Sequence, residues 1–130
     1  MGKASPPAIV LDSGALIALE RGDARMRALC REALRVGARV VVPSAVVAQV
    51  IRRPAQQVVI RALLDGPTTE IPVLDRLLAE AAGVLCARTG TADVVDATVV
   101  LVAGRERAAV VSRDPKDLRR LDPTLRVEVV

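Results

Sequence analysis

Two acids, Asp93 and Asp96, stand at the start of residues 91–103, TADVVDATVVLVA, a segment otherwise almost wholly apolar. Its pattern predicts a helix buried over most of its surface. Side chains three apart on a helix share a face, with Cβ atoms roughly 5–6 Å apart, so both carboxylates point the same way. Like charges that close repel unless a cation sits between them or one carboxyl stays protonated. Two more acids follow short apolar runs: Asp12 after AIVL, and Asp114 after VVSR. A set of carboxylates without histidine suits a hard, oxygen-preferring cation such as Mg²⁺ or Mn²⁺. Such an ion acidifies a water and neutralises a phosphate under attack, so the chemistry that fits is phosphodiester hydrolysis. Ser13, Thr98 and Ser112 supply hydroxyls suited to orienting waters or carboxylates.

Each acid also has a structural reading. Asp93 follows Gly90-Thr91 and can cap the helix it precedes, and Asp114 with Pro115 and Asp117 forms a helix start with proline in the first turn. Asp12 is a strand end. Asp96 is the hardest to explain this way, because one cap leaves a second acid in an apolar helix without a purpose.

Composition removes other chemistries. The chain has no His, Phe, Tyr or Trp, which excludes histidine general bases, Ser-His-Asp and Cys-His triads and histidine-bound metals. Cys30 and Cys86 stand in no CxxC pattern and are expected as free thiols rather than zinc ligands or a disulfide. The net charge of +4 comes almost entirely from arginine, since Lys3 and Lys116 are the only lysines. Arginine contacts phosphate in bidentate fashion, which suits a nucleic acid or an acidic partner chain as well as plain solvation of helix faces. Stacking of bases on aromatic rings is excluded.

The elements that must position these acids alternate. Apolar runs at 8–11, 39–42, 70–73, 108–111 and 126–130 read as strands, the first, second and fourth continuous. Helices are expected over 15–20, 23–36 with Asp23 as cap, 45–51 with Ser44 as cap, 55–64, 75–87 with Asp75 as cap, the 91–104 segment, and a short one from Asp114. Strand–helix alternation with continuous apolar strands indicates a parallel sheet covered by helices on both faces. In such sheets ligands bind beyond the C-terminal strand ends at a switch in strand order. If the first and fourth strands are neighbours, the four acids converge there. At 130 residues one domain is expected. Charge interrupts every apolar run before the roughly 20 residues a bilayer needs, and MGKASPPAIV has neither a signal-peptide pattern nor a myristoylation signal, Pro6 standing where Ser or Thr is required. A soluble, cytoplasmic protein is expected.

Four segments, in order and spacing, carry a family resemblance: IVLDSGALIALE, VVPSAVVAQVIR, DVVDATVVLVAG and AAVVSRDPKDLRRL. Together they resemble the PIN domain of VapC-type toxins, over nearly the whole chain. The resemblance implies a PIN-like (Rossmann-like) three-layer α/β/α domain spanning residues 1–130, with a mostly parallel sheet of 4 to 5 strands. It implies a Mg²⁺-dependent endoribonuclease, usually a homodimer, inhibited by a VapB-like antitoxin. Asp12 falls on the family's first acid, Asp96 on its third and Asp114 on its fourth; Asp93 matches an additional acid found in some members. The chain departs from the pattern at the second acid, where the usual Glu is replaced by Gln49. Glutamine offers a neutral carbonyl and amide but no negative charge, which weakens a two-metal scheme. Glu20 and Asp93 are the acids best placed to compensate. Two other readings stand beside the ribonuclease: a PIN-like module that has lost catalysis with Gln49 and binds RNA or a protein, and a receiver-like phosphoacceptor, which would also gather aspartates at strand ends.

Overall fold

A computed structural model describes residues 7–130; the segment MGKASP, including Pro6, lies outside the described residues. The first apolar run forms β1 (Ala8–Leu11), with Val10 and Leu11 fully buried. It pairs in parallel with β2 (Arg39–Val41) on one side and β4 (Ala109–Ser112) on the other, so that Val10 lies between Val41 and Val110. β3 (Thr69–Glu70) and β5 (Val127–Val129) are the edges, giving one all-parallel sheet in the order β3-β2-β1-β4-β5. The order reverses between β1 and β4, the place where such sheets open a crevice. It also differs from the 2-1-3-4-5 order of receiver-like folds, and the phosphoacceptor reading falls with it.

Among the described residues, seven α-helices flank the sheet: α1 (Ser13–Glu20), α2 (Ala24–Val36), α3 (Ser44–Val50), α4 (Val58–Leu64), α5 (Arg76–Thr89), α6 (Val94–Glu106) and α7 (Lys116–Leu121). Asp23 and Asp75 cap α2 and α5 as expected, accepting from Met26 and Leu78 N–H groups. The core is aliphatic: Leu11, Leu16, Met26, Ile60 and Leu118 are its largest fully buried side chains, surrounded by valine and alanine. With no aromatic ring to fill space, many small residues share the burial, each valine contributing on the order of 1.5–3 kcal/mol. α6 packs on β1, β4, α3, α5 and α7, which is why Ala97 through Val100, Val102 and Ala103 are buried. Among the described residues no helix is long and apolar enough to cross a membrane.

Alongside other shifts of one or two residues, four departures from the sequence pattern have a physical cause in the structure. Ser44 does not cap α3; Pro43 precedes the helix, and Ser44 turns its hydroxyl to accept from the Leu74 N–H at 2.9 Å. β3 stops at Glu70 rather than 73, because Pro72 has no N–H to donate to a ladder. α6 runs through Gly104 and ends two residues later at Glu106, with Arg107 as its C-cap in the left-handed region at φ 53°. The helix expected over 55–64 is broken into a 3₁₀ turn, Pro54–Gln56, and α4.

Gln57 accounts for that break. It is buried, and its Oε1 accepts from the Arg52 and Arg53 N–H groups at 2.9 and 3.0 Å while its Nε2 donates to the Val50 carbonyl at 2.9 Å. One amide thus replaces the hydrogen bonds that a continuing α3 would have made. Gln57→Leu leaves those backbone groups unpartnered, and we expect it to lower unfolding free energy by about 1–3 kcal/mol. Urea denaturation monitored by circular dichroism measures this; an unmoved midpoint would show that Gln57 does not hold the turn.

Candidate functional site

Asp12 follows β1 directly, and its N–H continues the ladder by donating to the Val111 carbonyl at 3.3 Å. The carboxylate is therefore held at the junction of β1 and β4. It is buried, and its Oδ1 accepts from the Ala15 N–H at 2.8 Å, so that Asp12 caps α1. Strand and helix meet directly at Asp12. Ser112, the last residue of β4 and fully buried, hydrogen-bonds the Asp12 carboxylate through its hydroxyl. The same oxygen accepts from the Asp114 N–H at 3.2 Å. One hydroxyl ties the acid after β1 to the backbone of the acid after β4. Burial pushes the Asp12 carboxyl above its ordinary range and the Asp114 charge adds to this, while the Ser112, Ala15 and Gly14 hydrogen bonds oppose it.

Asp96 stands in the first turn of α6, half-buried. Its carboxyl is pushed from an ordinary 3.8 up to about 7, first by burial and then by the charges of Asp93, Asp12 and Asp117. A hydrogen bond to Asp93 favours the protonated form further. Asp93 itself is exposed and caps α6, its Oδ1 accepting from the Asp96 N–H at 2.9 Å. Of the two arrangements open to a crowded pair of acids, the upward shift of Asp96 favours the one in which a carboxyl takes up a proton.

The four aspartates expected at the site gather around the β1–β4 switch, but not all equally. The charge of Asp12 acts on Asp96, and that of Asp114 acts on Asp12. Asp114 is exposed and spends Oδ1 on the Lys116 N–H at 3.2 Å, where it opens α7 although Pro115 holds the cap position. Among the described residues, no three Asp, Glu or Cys side chains stand close enough, as they lie, to hold one ion. The donor set is nonetheless all carboxylate oxygen with uncompensated charge, the chemistry that suits Mg²⁺ or Mn²⁺. Of the three hydroxyls, Ser112 orients Asp12 directly. Thr98 donates to the Val94 carbonyl at 2.8 Å inside its own helix, and Ser13 donates to Gln49 Oε1.

Asp117 escaped the sequence pattern. It reads there only as an acid in the first turn of α7, yet its charge acts on Asp96. It also lines, with Thr91, Asp93, Asp96 and Arg120, a cavity of about 180 Å³. The signal that could have found it is the spacing Asp114-x-x-Asp117 on a helix start, which turns both acids toward one side. Glu20, by contrast, is exposed at the far end of α1 and is not among the charges acting on Asp12 or Asp96. Cys30 and Cys86 are free, as expected.

Over residues 9–122 the chain matches the family model described as "PIN domain". No curated protein matches it. Among solved structures, it is similar to a chain in the crystal structure of VapBC2 from Rickettsia felis bound to a promoter DNA fragment, with TM-score 0.71 and 16% identity over 95% of this chain and 98% of that one. It is also similar to a chain of FitAcB from Neisseria gonorrhoeae, with TM-score 0.61 and 18% identity over 92% of this chain and 95% of that one.

The position of the Asp96 carboxyl has a stability consequence. Its folded-state value lies above the unfolded one, so the folded protein binds the extra proton between about pH 4 and 7. The stability that this proton supports is present at acid pH and is lost as pH rises toward about 7. In EDTA, Asp96→Asn should remove that slope and raise stability at pH 8 by on the order of 1–2 kcal/mol, after allowing for solvent screening of a half-exposed group. Thermal melts of both proteins across that pH range test this; parallel curves would show that Asp96 ionises normally.

Proposed function

Because the chain belongs to the PIN-domain family, we propose that it is a metal-dependent endoribonuclease, the toxin of a VapBC-type toxin–antitoxin pair. The observation that carries this reading is Asp96, a carboxyl pushed above its ordinary range by burial and by the charges of three other aspartates at the switch point of a parallel sheet. Such crowding disfavours the charged form on its own and favours it once a divalent cation shares the space. In this reading Asp12, Asp96 and Asp114 hold Mg²⁺ or Mn²⁺, and Asp93 supplies a fourth negative charge in place of the missing Glu. When bound, the ion supplies positive charge to the phosphate under attack and lowers the pKa of the attacking water.

The chain's own residues do the rest. Ser112 holds Asp12 in one orientation and fixes Asp114 beside it. Asp93 fixes the first turn of α6, and with it the direction of Asp96. Gln49, held by Ser13, keeps the α3 side of the site polar but uncharged. Arginines steer the RNA backbone without base stacking, so the strand is gripped by its phosphates. The catalytic unit is taken as one domain over residues 1–130, cytoplasmic in location.

The two solved relatives, VapBC2 and FitAcB, support an antitoxin partner, and the resemblance to VapC-type toxins adds a homodimer. Val73, Leu77 and Val84 on and before α5 are exposed apolar side chains, surface of the kind that chain–chain contacts cover.

Cleavage of structured RNAs with Mg²⁺ or Mn²⁺, with and without EDTA, tests the reading. Asp96→Asn should lower cleavage by more than the roughly 10–100-fold that loss of an outer-shell partner costs, with the fold intact by circular dichroism. Wild-type protein that cuts no RNA under either metal would instead favour the catalytically impaired binding module, the reading to which Gln49 points. Gln49→Glu returns a carboxylate to the α3 side and should tighten Mn²⁺ binding several-fold by calorimetry. Equal affinity would place residue 49 outside the metal's reach.

A further inference from the structure

We propose that the basin between the end of α1 and the turn after α3 is a backbone-phosphate subsite for single-stranded RNA, flanking the acidic centre; this rests on the ribonuclease reading above. The basin has a volume of about 360 Å³, and Arg21, Arg52, Arg53, Gln49 and Glu20 line it. Among the described residues, none of its three arginines is in an ion pair. With Glu20 as the lone acid in the basin, the balance is positive, directly beside a cluster of negative charge.

The backbone that carries Arg52 and Arg53 is held in place. The buried Gln57 amide accepts from the backbone N–H groups of Arg52 and Arg53 and donates to Val50. Arg52 also donates from Nη1 to the Ala48 carbonyl at 2.6 Å, at the end of α3. A turn fixed in this way presents two arginines without a further cost of ordering its backbone on binding. The side chains of Arg21 and Arg53 make no hydrogen bond within the described residues and remain free to take a ligand.

Position selects the ligand. Gln49 belongs to the basin wall and is hydrogen-bonded to Ser13, the residue after Asp12, so basin and acidic centre share a border. Arg21 follows α1 and lies roughly 12–14 Å along that helix from Asp12 at 1.5 Å per residue. A strand whose reacting phosphate sits by Asp12 and which runs along α1 therefore carries a phosphate beyond the adjacent one over the arginines. Bidentate guanidinium–phosphate contact matches this geometry, and with no aromatic residue in the chain, phosphate contact is the grip available for an unpaired strand. A Glu at position 49 would place a negative charge on that border; Gln49 removes it.

Fluorescence anisotropy of full-length protein in EDTA, with a short labelled oligouridylate, tests the subsite across a salt series. Arg21→Ala and Arg53→Ala should each weaken binding several-fold and reduce the slope of log K against log salt by about 0.7, one phosphate contact. Together they should raise KM for cleavage more than they lower kcat. Unaltered thermal midpoints show that the variants are folded. Wild-type slope and affinity in both variants, with wild-type cleavage intact, overturn the subsite alone. RNA binding that depends on both arginines in a protein that cuts nothing upholds the subsite and removes the ribonuclease reading. Loss of glutamate-rich peptide binding in the variants, with RNA affinity unmoved, assigns the basin to an acidic protein segment and overturns the proposal. No RNA binding or cleavage by the wild type overturns both.

Discussion

Carboxylate repulsion at the end of β1 and β4 is the constraint on which the rest of the molecule depends. Asp12 is buried and Asp96 half-buried, and both are shifted toward the neutral form by burial and by neighbouring acids. A fold tolerates this only if the groups are held by hydrogen bonds from every side, since an unpartnered buried charge is costly. The partners are local. Ala15 and Gly14 N–H groups and the Ser112 hydroxyl serve Asp12, and Asp93 serves the first turn of α6. Asp12 and Asp93 thus each have a capping task in addition to their charge, and the site is built from the same bonds that start α1 and α6.

Charge is sorted along the surface that borders this cluster. Negative groups gather at the strand ends, while the arginines at the end of α1 and after α3 stand unpaired across a border formed by Ser13 and Gln49. Arg39, in contrast, is neutralised by Glu70 at 2.6 Å and Glu106 at 2.7 Å. Arg39 ties β2 to β3 and α6, whereas the basin arginines have no carboxylate partner among the described residues. The uncharged Gln49 makes the border polar without making it negative, which eases the approach of a polyanion to a place already crowded with carboxylates.

Much of the fold was legible from residue pattern. The short valine-rich runs of β1, β2 and β4 are covered on both faces and so lack alternation. The caps Asp23 and Asp75 announce α2 and α5 through a local bond to the third residue on. The miscalls are equally physical. Ser44 and Gln57 look like a cap and a helix interior, but each is drawn to a partner distant in sequence or buried, Leu74 N–H for the one and Val50, Arg52 and Arg53 for the other. Gly104 looks like a helix end, yet contacts of α6 with β4 and α5 carry the helix past it.

The candidate site divides along the same line. Sequence alone determined the types of its acids, their attachment to strand ends and helix starts, and the absence of any histidine to help them, because these follow from local pattern and composition. Asp93 was a helix cap on sequence grounds, and it is one. Only the tertiary structure decided that β1 and β4 are neighbours, that Ser112 bridges Asp12 to Asp114, that Asp117 acts on Asp96, and that Glu20 faces arginines instead of aspartates. Strand order and the approach of α7 to α6 are set by packing between segments far apart in the chain. A pKa depends on distance in space, which no spacing along the sequence encodes.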